Sequence, residues 1–174
     1  ILADCSKRFN KTDVNSSCQL NAKLGFSMKI NDPATFRRYN SLPFEAIRLQ
    51  SEKESISEEM RVLYVALTRA KEKLILLLTC PKVEEKLKRI ANSLTLGEKE
   101  TLSPYEVFRA SGYDDWILSA LFFHPGFATI RRRIGRGELP SVEAGFPLTC
   151  VWEPQQPVEE EAEPSVLFTA EPSD

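Results

Sequence analysis

The chain has 174 residues, 42% of them apolar and 28% charged, with a formal net charge of −2. That balance is globular and excludes a collagen-like or wholly disordered polymer. The mean charge hides two unlike parts: residues 152–174 hold seven acids, four prolines and no Lys or Arg, leaving 18 acids against 23 bases before them. The body is therefore +5 and the tail −7. No apolar run approaches the about 20 residues that a membrane-spanning helix needs, so no membrane partner is expected. Ile1-Leu2-Ala3-Asp4-Cys5 has neither the basic start nor the long apolar run of a signal peptide. It reads as the end of a buried strand, as in a piece of a longer polypeptide. Cys5, Cys18, Cys80 and Cys150 are far apart, with no Cys-x-x-Cys pair and one histidine, His124. No metal site is expected, and the pattern predicts the reduced thiols of a cytoplasmic protein.

In chain order, residues 6–50 read as loops and short strands, with turn formers at 10–17 and at Asn31-Asp32-Pro33, then a helix opening near Pro43 or Phe44. Ser55-Ile56-Ser57-Glu58 has the spacing of a capping box and predicts a helix from Ile56 to Ala70. Lys73 to Cys80, ended by Pro81, is a short continuous apolar run, the pattern of a strand buried on both faces. Helix followed by buried strand predicts the α/β class. Val83, Leu87 and Ile90 predict a helix to about Leu94, and Ser103-Pro104-Tyr105-Glu106 predicts another capped start. A further helix is expected from Asp115 to Phe123, stopped by His124-Pro125-Gly126. Phe146 to Trp152 reads as a last strand, and the acidic tail after it as a disordered linker.

On a helical wheel, Ile56, Met60, Leu63, Tyr64 and Leu67 form one apolar stripe, while Val62 and Val65 fall with Arg69 on the other side. A helix that is apolar on two sides packs on two sides. Arg69 must then escape at the helix end or meet an anion, because an unpaired buried charge is costly; Thr68 beside it supplies a hydroxyl. Glu58, Glu59 and Arg61 read as a solvated ion-paired face, with Arg61 bracing the helix through Glu58. Arg131, Arg132, Arg133 and Arg136 are either a solvated basic turn or a contact for DNA phosphates. His124 reads as a turn or helix-end cap, and Trp116, Phe122 and Phe123 as core aromatics.

Glu58-Glu59-Met60-Arg61-Val62-Leu63-Tyr64-Val65-Ala66-Leu67-Thr68-Arg69-Ala70-Lys71-Glu72-Lys73-Leu74 resembles motif VI of superfamily 1 DNA helicases of the UvrD and Rep type. Its Val-Ala-Leu-Thr-Arg-Ala-Lys core most resembles the AddA subunit of bacterial helicase-nucleases. Leu2-Ala3-Asp4 with Lys7-Arg8-Phe9-Asn10 resembles the segment just after motif V. Asp115-Trp116-Ile117 with Leu118-Ser119-Ala120-Leu121 and His124-Pro125 resembles the region downstream of motif VI. The resemblance covers residues 1–126 and implies the C-terminal part of the second RecA-like, P-loop NTPase-type motor domain. A basic extension of unassigned role follows over 127–151, and an acidic Pro-rich tail or linker over 152–174.

The resemblance further implies that Arg69 is an arginine finger for the γ-phosphate of ATP, which the other motor domain holds with Mg²⁺. Thr68 and Arg61 would support the nucleotide, with Met60, Leu63, Tyr64 and Leu67 packing the helix. The implied partners are DNA, the N-terminal motor domain of the same polypeptide and a second helicase/nuclease subunit. The implied parent couples ATP hydrolysis to DNA translocation in double-strand break repair, with an exonuclease domain elsewhere. This sequence has no Gly-x-x-x-x-Gly-Lys-Ser/Thr loop and no Walker B acid pair, so no activity is expected of it in isolation. The alternative reading is a catalytically silent protein-interaction domain with a helicase-like fold.

Overall fold

The computed structural model describes residues 1–11, 16–94 and 102–153. The readings for 12–15, for 95–101 and for the tail beyond 153 lie outside the described residues. Two antiparallel hairpins come first, β1 (Cys18–Asn21) with β2 (Gly25–Met28) and β3 (Ile30–Asp32) with β4 (Arg37–Tyr39). Their turns are closed by short polar side chains, as such turns require. Asn21 Oδ1 accepts the Lys23 and Leu24 N–H groups, and Asp32 accepts the Ala34 N–H and the Thr35 hydroxyl.

Helix α1 (Leu42–Thr68, 27 residues) follows, with Ser41 accepting the Phe44 N–H and Pro43 in the first turn. The two helices expected near Pro43 and from Ile56 are therefore one. No Gly or Pro separates them, so Ser55-x-x-Glu58 lies in mid-helix and caps nothing.

After α1 the chain returns beside its own N-terminus. Leu2 N–H donates to Ile75 O (2.8 Å) and Leu77 N–H to Leu2 O (2.9 Å), a single parallel bridge between Leu2 and Leu76. The expected strand over Lys73 to Cys80 is thus only a bridge, and it is not covered on both faces. Leu76 and Leu78 turn inward, whereas Leu74, Ile75 and Leu77 stay exposed. A parallel strand needs partners on its edges and cover on its faces, and the described residues supply one short neighbour.

Helices α2 (Val83–Ser93), α3 (Pro104–Arg109), α4 (Tyr113–Leu121) and α5 (Ala128–Arg133) complete the piece, with a 3-10 turn over Pro125–Phe127. Val83, Leu87 and Ile90 face inward and Ser103 caps α3, as the spacing predicts. The expected strand over Phe146 to Trp152 is instead an irregular segment laid on the core, where Cys150 and Trp152 pack. The result is a small α/β assembly. All four cysteines are free.

Two apolar cores share α4. Cys5, Ile56, Leu63, Ala110, Trp116 and Ile117 form one; Leu87, Ile90, Leu118, Phe122, Phe127, Ile130 and Ile134 form the other. Residues 114 to 118 of α4 are all buried, so its two N-terminal acids are buried too. Lys86 of α2 reaches Asp114 (2.5 Å) and Asp115 (3.0 Å), and Arg89 adds a second ion pair to Asp115 (3.0 Å). Ser111 donates its N–H and its hydroxyl to Asp115, both at 2.7 Å. Burial alone would raise the Asp115 carboxyl, but these donors and Lys86 together hold it below the usual carboxylate range.

The folded chain therefore releases the Asp115 proton at lower pH than the unfolded chain. Its stabilisation is complete above about pH 4 and is lost as pH falls through the lowered folded value. Urea unfolding measured from pH 6 downwards should show stability declining below about pH 4. Lys86→Met, which strips the shared cation from two buried carboxylates, should cost about 3–5 kcal/mol at neutral pH. Gly112 carries the antiparallel bridge to Arg8, and a Cβ there would lie 2.7 Å from Lys7 O. Gly112→Ala should therefore lower stability by at least about 1 kcal/mol in the same assay.

Candidate functional site: the exposed end of the motif helix

The C-terminal half of α1 has one packed face and one open face. Ile56 and Leu63 are buried, and Met60 and Leu67 pack beside them against the cluster that holds Trp116 and Ile117. Tyr64 does not join them: it is 66% exposed. The cluster grips the arc from Met60 through Leu63 and Leu67, and Tyr64 projects past its rim. Val62 and Val65 are also open, at 51% and 44% exposure. The second apolar side that the wheel predicts thus exists, and no described residue covers it.

Arg69 is the C-cap of this helix, its N–H bonded to Ala66 O (3.4 Å). Its side chain is exposed and makes no ion pair or hydrogen bond among the described residues. A guanidinium there is favoured by the negative end of the helix dipole and keeps all five donors available. The Thr68 hydroxyl donates back to Tyr64 O (2.9 Å) and Val65 O (3.1 Å), which leaves its lone pairs facing out. Arg61 Nη1 meets Glu58 Oε2 at 3.1 Å, a pair more than half exposed on both sides.

Glu59 has a role that spacing alone did not reveal. It accepts the Tyr113 hydroxyl and so ties the motif helix to the start of α4. Burial and that carboxylate push the Tyr113 phenol up to about 12. Phe9 stacks edge-on against Tyr113 (5.2 Å) and lies 4.9 Å from Trp116, and Phe9, Tyr113 and Glu59 line a cleft of about 290 Å³ with Lys7, Arg8 and Asn10. The signal was available as an aromatic and an acid far apart in sequence, a pairing that no local period exposes.

The four arginines downstream do not form one surface. Arg131 is 2% exposed and donates to Phe122 O (2.5 Å), His124 O (3.3 Å) and Ser141 Oγ (2.5 Å), so the expectation that it contacts DNA does not fit its burial. It is a buried cation held by the Phe122 carbonyl at the end of α4, by the His124 carbonyl, which also accepts the Phe127 N–H (2.9 Å), and by the Ser141 hydroxyl. Arg133 stacks on Trp152 at 4.1 Å, Arg136 donates to Asn92 Oδ1 (2.7 Å), and Arg132 is exposed. His124 is a cap, as expected: its Nδ1 accepts the Gly126 N–H (2.9 Å), which leaves Nε2 as the donor to Phe146 O (3.0 Å). Trp116 and Phe122 are buried core aromatics and Phe123 is half-buried. Among the described residues no group of His, Cys, Asp and Glu could hold a metal ion, and no helix is long and apolar enough to cross a membrane.

Residues 38–80, which contain the whole of α1 and the strand-like return after it, match the model of the UvrD-like helicase C-terminal domain. Over that segment the chain is similar to the UvrD-like helicases. More particularly, most of its length aligns with the AddA-type subunits of bacterial ATP-dependent helicase/nucleases. It is 38% identical over 134 residues to that of Clostridium botulinum, covering 77% of this chain and 11% of the relative. It is 38% identical over 143 residues to that of Oceanobacillus iheyensis (82% and 11%), and 41% over 129 residues to that of Listeria monocytogenes (73% and 10%). The chain spans about a tenth of the length of these curated relatives.

The burial pattern sorts the basic cluster experimentally. Arg131→Gln should lower unfolding stability by about 1–3 kcal/mol by stranding buried carbonyls, whereas Arg132→Gln should change it by less than about 0.5 kcal/mol. Urea denaturation of the two variants checks both.

Proposed function

We propose that this chain is the C-terminal part of the second RecA-like motor domain of an ATP-dependent DNA helicase/nuclease of the AddA type. Arg69 acts there as the arginine finger for ATP bound by the other motor domain. The observation that carries this reading is the position of Arg69: a guanidinium that is exposed, and unpaired among the described residues, at the end of a long helix whose inner face is fixed in the core. Its place within the matched UvrD-like segment adds support.

Phosphoryl transfer is catalysed mainly by positioning and by neutralising charge on the phosphate oxygens. A planar guanidinium is suited to that task, because its fork of donors meets two oxygens at once and never loses its proton. The α1 core fixes the arginine's base through Ile56, Leu63 and Leu67, while the open face with Val62, Tyr64 and Val65 offers a neighbouring domain an apolar seat. Thr68, its hydroxyl proton committed to the helix, presents an acceptor beside Arg69. Arg61, already paired with Glu58, steadies the helix surface. ATP and Mg²⁺ would be held chiefly by other parts of the parent protein, which uses the hydrolysis to move along DNA during break repair. Its further partners would be the N-terminal motor domain and a second helicase/nuclease polypeptide.

DNA-stimulated ATP hydrolysis by the whole parent protein tests the assignment. Arg69→Ala should lower the rate by about 10³- to 10⁵-fold while nucleotide binding is largely kept. An unchanged rate would remove Arg69 from the reaction and favour a protein-interaction role for this helix. The chain on its own should hydrolyse no ATP, and stoichiometric hydrolysis by pure material would contradict the proposal.

A further inference from the structure

The motif helix is anchored by a polar contact upstream of its exposed end. Glu59 of α1 accepts the hydroxyl of Tyr113, the first residue of α4, and both side chains are half-buried. Burial and the Glu59 carboxylate raise the Tyr113 phenol to about 12, so it remains a donor far into the alkaline range.

The donor is itself held in place. Phe9 meets the Tyr113 ring edge-on at 5.2 Å, and Trp116 lies 6.1 Å away with its indole N–H bonded to Val107 O. On the backbone, Gly112 before it is bridged to Arg8, and the Asp114 N–H after it donates to Cys5 O (2.9 Å). The next two side chains, Asp114 and Asp115, are both pinned by Lys86. Tyr113 therefore offers α1 a stationary point to lean on.

Apolar packing alone leaves the helix a freedom that this bond removes. Ile56, Met60, Leu63 and Leu67 hold α1 through contacts that have no preferred direction. A hydrogen bond to an ionised carboxylate is short and has a preferred angle. A helix with its side chains has a radius of about 5–6 Å, so a rotation of about 10° about its axis moves a side-chain tip by about 1 Å. Arg69 is ten residues beyond Glu59, which places it about 15 Å along the helix and about 80° around it. The tie thus sets the rotation of the helix without standing in front of the arginine. A shift of about 1 Å imposed from far outside the reacting atoms can cost about 100-fold in rate.

We propose that Tyr113 and Glu59 are positioning residues for phosphoryl transfer: their hydrogen bond fixes the rotation of α1 and so the direction in which Arg69 projects toward the γ-phosphate. This rests on the arginine-finger reading of Arg69. Neither Tyr113 nor Glu59 touches the nucleotide in this account, and their effect passes through Arg69.

The experiment is DNA-stimulated ATP hydrolysis by the whole parent protein, with kcat and the KM for ATP measured separately on variants that urea unfolding shows to be folded. Tyr113→Phe removes one hydroxyl, and Glu59→Leu removes its acceptor. Each should lower kcat by about 10- to 100-fold while KM changes by less than about twofold. Glu59→Gln, whose amide oxygen still accepts the phenol proton, should keep most of the rate that Glu59→Leu loses. In an Arg69→Ala background, Tyr113→Phe should lower kcat no further, because the group it positions is gone. The same fold-loss in both backgrounds would show that the tie only steadies the fold, and would overturn the proposal. A raised KM with kcat unchanged would overturn it as well. The finger itself is read from Arg69→Ala alone: a normal rate there removes the finger and this proposal with it. A large loss in Arg69→Ala beside a normal rate in Tyr113→Phe overturns only the positioning role.

Discussion

The structure turns on the burial of the first turn of α4. Asp114 is buried against Lys86, and Asp115 against Lys86, Arg89 and the two Ser111 donors, which together offset the cost of taking both carboxylates out of water. Both acids also lie at a helix N-terminus, where the dipole favours negative charge. Once that turn is neutralised, Trp116 and Ile117 are delivered to one core and Leu118 and Phe122 to the other. The Trp116 indole completes the arrangement by donating to Val107 O (2.8 Å), so α3 is anchored through the same helix.

This constraint reaches the motif helix directly. The core that receives Trp116 and Ile117 also holds Ile56 and Leu63 of α1, and the Tyr113 hydroxyl bonds Glu59 from the start of α4. The helix is therefore fixed by its inner face and by one polar tie, while its outer face and its end remain open. That asymmetry suits a residue that has to act on something outside this piece of chain. A guanidinium held by an ion pair of its own would first have to give that pair up.

The sequence made some of this plain and hid the rest for physical reasons. The helical spacing of Val83, Leu87 and Ile90, the Ser103 cap and the turn role of His124 follow from short-range patterns, and the structure has them. The structure has no break at Ser55, because a capping box is only local. It cannot compete with an uninterrupted run of helix formers on both sides. The apolar run at Lys73 to Cys80 has the composition of a buried strand, yet burial depends on neighbours that a local pattern does not contain. Adjacency puts Arg131 with Arg132 and Arg133, but successive residues of a helix point about 100° apart, so Arg131 enters the core and its neighbours do not. Along β1 the buried residues are Gln19 and Asn21 and the exposed one is Leu20, an inversion that the pattern cannot show because alternation gives two faces without saying which one meets the helix. For the candidate site, the place of Arg69 at the helix end is legible in the sequence. Its freedom from partners and the Glu59–Tyr113 tie are not.

The proposed role of Arg69 is to act on the transferring phosphoryl group rather than merely to steady a surface. Binding of a transition-state mimic to the intact parent protein tests it most directly. In the presence of DNA, ADP with aluminium fluoride should bind Arg69→Ala more weakly than wild type by orders of magnitude, while ADP alone binds both alike, since a finger stabilises the transition state selectively. Equal affinity of both proteins for the mimic would contradict the account.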